Sequence, residues 1–315
     1  MNPSTPSYIS IFSGIGGLEH PIHAPTLMCE RDPESQMVLA NRYGINTAAI
    51  HSNVETLQTP PFVDFVVGGW PCQDLSSAGK QVGIDGSQSK LFFDMVRVAK
   101  EAKAHTIIGE NVPNLLRVNR GRDFSVAKEV LRAAGYNFIS WRVLNARQFG
   151  LPQQRNRLFI VASKYQKFAE SLHARVPEVE NPTVSENQCG FYWTGGKRSL
   201  CFSSGYVPAL KVGATDNRGR GSVALFDGRM VRKLTVKENL RLQGFANLKL
   251  PELSSSAILR MAGNAVALPV GQFVVASVFA EATPEGLKVG FGGVGTSGFS
   301  DGTMEWQIDH APQVL

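Results

Sequence analysis

With 315 residues, 43% hydrophobic and 18% charged, the chain has ordinary globular composition and length enough to bury a core without covalent staples. Its four cysteines, Cys29, Cys72, Cys189 and Cys201, form no CxxC pair and no cluster with histidine, which argues against a zinc site or a disulfide framework. The net charge of +6 is concentrated between Gly195 and Lys233, where eight basic residues (Lys197, Arg198, Lys211, Arg218, Arg220, Arg229, Arg232 and Lys233) face only Asp216 and Asp227.

In chain order, YISIF (8–12) reads as a buried strand, TLMC (26–29) as a second, FVDFVVGG (62–69) as a third and HTIIG (105–109) as a fourth. Between them, 33–44 and 91–102 have helical spacing, with Leu91, Met95, Val98 and Ala102 on one face. Strands alternating with helices indicate an α/β fold with a doubly wound, mostly parallel sheet. A helix over 124–136 ending at Gly135, then strands at 137–144 and 157–163, continue the pattern. From about Tyr165 to Met230 periodicity fades and Gly, Ser, Asn and Pro abound, as in a separate module of loops and short strands. Regular structure resumes at LTVKENLRLQGF, where Thr235 and Glu238 have capping-box spacing and Gly244 suits the end of a helix. A last helix is expected over about 265–280. The expected organisation is a first domain over 1–164, a separate small module over 165–232, the rest of the first domain over 233–281, and a Gly-rich tail over 282–315. The opening MNPSTPSYIS lacks a basic segment followed by an apolar run, and no apolar stretch nears the roughly 18 residues of a membrane helix, so a cytoplasmic chain with no membrane partner is expected.

In a doubly wound sheet, ligands bind at the carboxyl ends of the strands. The first strand runs into Ser13-Gly14-Ile15-Gly16-Gly17, whose glycines permit close backbone approach, although a plain tight turn has the same appearance. The second ends at Glu30, where an acid commonly meets ribose hydroxyls, or is simply a surface acid. The third ends in Gly68-Gly69-Trp70-Pro71-Cys72-Gln73. A free cysteine is usually a small buried hydrophobe, but one between glycines and Ser76-Ser77-Ala78-Gly79 is not core, and a loop feeding a helix favours the nucleophilic thiolate. The fourth ends in Glu110-Asn111-Val112-Pro113: a buried carboxyl there could donate a proton near neutral pH, or Asn111 could be a helix cap with Glu110 incidental. In Gln153-Gln154-Arg155-Asn156-Arg157, two arginines two residues apart at a strand start point to one face.

Together these pieces, in this order over about residues 8–280, resemble the C5-cytosine DNA methyltransferase family: SIFSGIGG the cofactor loop, GGWPCQDLSSAGKQ with LFFDMVRV the nucleophile loop and its helix, GENVPNL the ENV motif, GLPQQRNRLFIVA the QxRxR motif, RKLTVKENLRLQGF the close of the recognition region, and MAGNAVALPVG the last motif. The resemblance implies methyl transfer from S-adenosyl-L-methionine to carbon 5 of a flipped-out cytosine in double-stranded DNA. Cys72 would add to C6, Glu110 would serve N3, and Arg155 would hold the base near O2 with Arg157 assisting the loop. Phe12, Gly14, Ile15, Gly16, Gly17, Glu30, Asn53, Pro71, Leu91, Asn264 and Ala265 would line the cofactor pocket, the last two requiring the terminal helix to fold back on the first domain. Ser76 and Gln81 would fill or clamp the vacated site, and Lys211, Arg218, Arg220 and Arg232 would contact DNA. No metal is implied. A monomer, and a cognate restriction endonuclease as partner, complete the expectation.

Three positions depart from the family's pattern. Ser10 stands where an acid is usual, Arg31 where an aromatic residue follows the ribose acid, and Asn53 where an aspartate meets the adenine amino group; an amide carbonyl still accepts that hydrogen bond. The competing readings are a tRNA methyltransferase of the same family, a catalytically silent DNA-binding regulator, and a nicotinamide dehydrogenase. The last is disfavoured by the missing GxGxxG.

Overall fold

Tyr8–Ile11 (β1) is buried on both faces, Tyr8, Ile9 and Ile11 being fully out of water. A strand so apolar belongs inside a parallel sheet with helices on either side. In the computed structural model, which describes residues 6–21, 23–71, 90–179, 189–193, 200–210, 223–226 and 228–282, the other strands of that sheet are Leu27–Cys29 (β2), Ile50–His51 (β3), Phe65–Gly69 (β4), Thr106–Asn111 (β5), Phe138–Asn145 (β6) and Asn156–Ser163 (β8); Gln153–Gln154 (β7) lies outside it. The order is β3-β2-β1-β4-β5-β8-β6. The first five run parallel, and β8 is antiparallel to both β5 and β6.

Strand alternation divides the core into two layers. Ile9, Ile11, Val66, Ile107 and Ile160 face helices Lys90–Glu101 (α2) and Arg122–Ala133 (α3), meeting Phe92, Met95, Phe124 and Leu131. Tyr8, Phe65, Val67, Ile108, Phe159 and Val161 face the other way, onto Phe168 of Gln166–Glu170 (α4) and Phe273, Val274, Val278 and Phe279 of Leu268–Ala280 (α7). The last described helix thus packs against strands of the first half of the chain.

Helix Pro33–Tyr43 (α1) starts at Asp32, whose carboxylate accepts from Ser35 N, and ends at Gly44 with φ 64°. The Thr235 capping box is formed at the start of Val236–Leu242 (α5), and Gly244 has φ 83°. The last helix, anticipated over about 265–280, runs over Leu268–Ala280, and another helix precedes it. Ser255–Asn264 (α6), capped by Ser254, was not anticipated, and α7 begins at Leu268 with Pro269 in its first turn. The proline, which lacks an N–H, cannot continue α6 but suits a helix start.

Within 189–233, strands Cys189–Trp193 (β9), Leu200–Ser204 (β10), Ala224–Phe226 (β12) and Val231–Lys233 (β13) form an antiparallel sheet ordered β10-β9-β12-β13. Val207–Pro208 (β11) pairs instead with β7, rooting this sheet on the larger unit. Val207, Leu210, Val223, Leu234 and Leu242 pack together at that root. Among the described residues no single helix is long and apolar enough to cross a membrane, and no group of three or more His, Cys, Asp or Glu residues could hold a metal ion.

Candidate active site

The carboxyl ends of β2, β1, β4 and β5 lie side by side, and the strand order reverses between β1 and β4. This is the switch point at which open α/β sheets bind ligands. On one side β1 gives way to a tight loop. Phe12 has φ 55°, a conformation costing about 1–3 kcal/mol for a non-glycine residue. Gly14 follows at φ 54°, and a side chain there would meet nothing within 4 Å, so its backbone faces open space. The loop is held from two directions. Glu30, just past β2, accepts from Gly14 N at 2.7 Å and from Asp32 N at 2.8 Å, while Arg42 of α1 donates to the carbonyls of Ile15 and Gly16. Burial pushes the Glu30 carboxyl above its ordinary range, against the pull of those amides.

Gly17 is enclosed. A Cβ on it would lie 2.5 Å from Val266 O, and one on Gly271 would lie 2.0 Å from Gly17 O. Only glycine permits this contact between the loop and α7. It brings Ala265, buried, and Asn264, exposed at the end of α6, to the loop. Phe12 and Leu91 pack on the edge of one core layer. Ile15 is buried against α1 and α6. Asn53 lies beyond β3, which is adjacent to β2; its Oδ1 caps a short turn through Glu55 N at 3.0 Å. That leaves the oxygen one lone pair. An open glycine backbone, a carboxylate with two remaining acceptor positions and half-buried apolar side chains fit an elongated amino-acid nucleoside with ribose hydroxyls.

The departure at Ser10 has a structural counterpart. Ser10 Oγ donates to Glu19 Oε1 at 2.7 Å, and Leu18 N donates to Glu19 Oε2 at 3.0 Å. Glu19 is fully buried, its carboxyl pushed upward by desolvation, so an acid nine residues along the chain occupies the space beneath the loop. No periodicity or motif in the sequence signals this. Arg31 is exposed.

On the other side of the crevice, Gly69 pairs with Glu110 in the β4–β5 register. A Cβ on Gly69 would lie 2.6 Å from Glu110 Oε2, so the carboxyl group rests against the bare glycine backbone. Asn111 Nδ2 donates to Trp70 O at 3.3 Å, tying the ENV segment to the Trp70-Pro71 segment. The two loops therefore open on the same edge. Glu110 is 9% exposed; burial pushes its carboxyl upward, opposed by Arg157 and then Arg155. Cys72, Ser76, Gln81, Lys211, Arg218 and Arg220 lie outside the described residues; the chain is described up to Pro71, next to Cys72.

Among the arginines singled out, Arg155 and Arg232 have protein partners. Arg155 does not project from the strand face toward the crevice. It lies between β7 and β8, 2% exposed, its Nη1 donating to Leu210 O (2.9 Å) and its Nη2 to Gly263 O (3.0 Å) and Ala265 O (2.7 Å). Arg157 reaches Glu110 instead, Nε to Oε1 at 3.0 Å. Of the two arginines, Arg157 and not Arg155 stands beside Glu110. Arg232, expected on DNA, forks onto Glu238 through Nη1–Oε2 at 2.9 Å and Nη2–Oε1 at 2.8 Å. Burial raises the Glu238 carboxyl, but Arg232 and Thr235 outweigh it and hold it below its ordinary value.

Residues 7–194 match the family model C-5 cytosine-specific DNA methylase. The chain is 32% identical over 289 residues to the type II methyltransferase M2.BsuMI of Bacillus subtilis, covering 84% of this chain and 73% of that one. It is 28% identical over 315 residues to M.Bsp6I of Bacillus sp. strain RFL6, covering 86% and 97%. In three dimensions it is similar to S. pombe Dnmt2, with TM-score 0.64, 16% identity and coverage of 88% and 98%. A methyltransferase of Entamoeba histolytica gives TM-score 0.61, 14% identity and coverage of 88% and 99%. The chain belongs to the C-5 cytosine-specific DNA methylase family: it is a DNA (cytosine-5-)-methyltransferase, and S-adenosyl-L-methionine is its methyl donor.

Proposed function

We propose that Cys72 is the nucleophile, that Glu110 and Arg157 serve the cytosine edge, and that the reaction takes place on a base turned out of duplex DNA. The observation that carries this reading is the Glu110–Arg157 pair set against Gly69, three residues before Cys72, on the edge that also bears the Gly14 loop.

Carbon 5 of cytosine is a weak nucleophile. The Cys72 thiolate adds to C6, and the C5–C6 π electrons become an enamine whose charge spreads to N3 and O2. Glu110, kept protonated more readily by its burial, donates at N3, while Arg157 holds Glu110 and meets O2. Bound in the cradle, the cofactor would supply an electrophilic methyl group for C5, the electron pair of the broken carbon–sulfur bond staying on its sulfur as S-adenosylhomocysteine leaves. A base then removes the C5 proton, the electron pair re-forms the double bond, and the thiolate leaves C6. Phe12, Gly14, Ile15, Gly16, Gly17, Glu30, Asn53, Pro71, Leu91, Asn264 and Ala265 form the cofactor cradle, Glu30 offering its remaining acceptor positions to the ribose. Turning out the base costs a few kcal/mol, which Ser76 and Gln81 offset from the vacated stack.

Residues 165–232 act as the recognition module, with 1–164 and 233–281 as the catalytic unit. The small antiparallel sheet at 189–233 and its root on β7 support this division. Lys211, Arg218 and Arg220 contact DNA phosphates. The enzyme acts as a monomer. It protects a short sequence from a cognate restriction endonuclease, as its type II relatives' designation suggests.

The test is covalent capture. With the cofactor present, duplex DNA carrying 5-fluorocytosine at the methylated site, mapped by sequencing 5-methylcytosine in plasmid from expressing cells, should become attached to the protein and not to Cys72→Ser. Attachment to the serine variant, or none to the wild type, refutes the assignment.

A further inference from the structure

Leu210 is the last described residue before the basic segment 211–222, and its peptide is gripped at both ends. Gln153 Oε1 accepts from Leu210 N at 2.9 Å, and Arg155 Nη1 donates to Leu210 O at 2.9 Å. Gln153 Nε2 donates in turn to Leu242 O at 2.7 Å. The other arm of the same guanidinium, Nη2, reaches Gly263 O and Ala265 O, either side of Asn264; Gln243 Nε2 also donates to Ala262 O and Ala265 O. The next residue, Val266, is the one that encloses Gly17 of the cofactor loop. One buried side chain therefore spans from the root of the recognition sheet to the wall of the cofactor cradle.

We propose that Arg155 is a positioning residue that couples engagement of DNA to binding of the cofactor. The inference rests on the reading above, in which residues 211–220 meet DNA and 264–265 line the cofactor cradle. A guanidinium is a planar fork whose arms are set at fixed angles, so it transmits a shift of one carbonyl to the others; a lysine ammonium is a single point on a flexible stem. When the residues after Leu210 engage duplex DNA, Arg155, bonded to Leu210 O, holds the 263–266 turn and, through it, Gly17. Linkage makes the effect reciprocal: bound cofactor tightens DNA binding by the same factor.

The experiment measures binding of S-adenosylhomocysteine to the full chain by calorimetry, with and without saturating duplex carrying the mapped methylation site. In the wild type the duplex should tighten binding by about fivefold or more, and in Arg155→Lys the ratio should fall to within about twofold of one. A merely structural role weakens both affinities together and preserves the ratio. An equal ratio in the two proteins, or a wild-type ratio of one, overturns the proposal. Should Arg155→Lys not fold, hydrogen exchange on the wild type decides: duplex alone should slow exchange in peptides 13–20 and 261–268, and unchanged exchange there overturns the coupling. Methyl transfer to the same duplex is followed alongside. Transfer with a ratio of one removes the coupling and leaves the reaction standing; neither transfer nor duplex binding removes both.

Discussion

Glu110 and Arg157 meet 3.0 Å apart across the β5–β8 pair, with the bare backbone of Gly69 on the carboxyl group's other side. A buried acid, its carboxyl pushed upward by desolvation, is thus braced by a cation and backed by a residue without a side chain.

Replacing Glu110 by glutamine should lower kcat by about 10²–10⁴, the usual contribution of a positioned proton donor. Cofactor affinity should stay close to that of the wild type. Single-turnover kinetics with calorimetry of S-adenosylhomocysteine would check this, and an unchanged kcat would remove Glu110 from the chemistry. Replacing Arg157 by methionine leaves the carboxyl buried without its cation, so it should destabilise the fold, by about 3–5 kcal/mol for a fully buried pair and less here at 18% and 12% side-chain exposure.

Gly69→Ala should act at a distance from any reacting atom. Its new methyl carbon would lie 2.6 Å from Glu110 Oε2, so the carboxyl group must move. Displacement by a fraction of an ångström to an ångström should cost on the order of a hundredfold in kcat. Stability should barely change, because alanine suits an extended strand. Gly17→Ala meets backbone at Val266 instead, which cannot swing aside. It should weaken cofactor binding, as read by equilibrium dialysis.

Glu19, Glu30 and Glu110 all have carboxyls pushed above the ordinary value of 4.5 by burial. The folded state then holds their protons more tightly than the unfolded chain does. Their contribution to stability is complete below pH 4.5 and is lost as pH rises through the raised folded values. In Glu19→Gln the side-chain carbonyl still accepts from Leu18 N and the amide nitrogen can donate to Ser10 Oγ, yet there is no charge to desolvate. Its urea midpoint should fall less between about pH 5 and pH 8 than the wild type's. Parallel pH profiles would show that Glu19 does not ionise in that window.

Arg232→Ala and Arg218→Ala should separate structure from DNA contact. Arg232 is engaged by Glu238 and is 26% exposed, so its loss should cost about 1 kcal/mol or less of stability and leave the salt dependence of DNA binding unchanged. Loss of Arg218 should lower the salt slope by about one and weaken binding to all sequences alike. Binding isotherms across a salt series would check both, and a reduced slope for Arg232→Ala would return that residue to the DNA surface.

The sequence by itself determined the parallel sheet, the chain order of the motifs, and which residues stand at the strand ends. Those features follow from local rules: apolar runs make buried strands, glycines and prolines end them, and a strand's last residue faces the crevice in any doubly wound sheet. The sequence also placed Thr235 and Glu238 correctly, because a capping box spans only four residues. Only the tertiary structure decided which arginine belongs to Glu110. Arg155 and Arg157 are chemically alike and two residues apart, and what separates them is the carbonyls of Gly263 and Ala265, more than a hundred residues away, which capture the first and leave the second. The same holds for Glu19 beneath Ser10 and for Arg232 on Glu238. A buried charge takes whatever partner the packing brings to it, and no spacing along the chain encodes that choice.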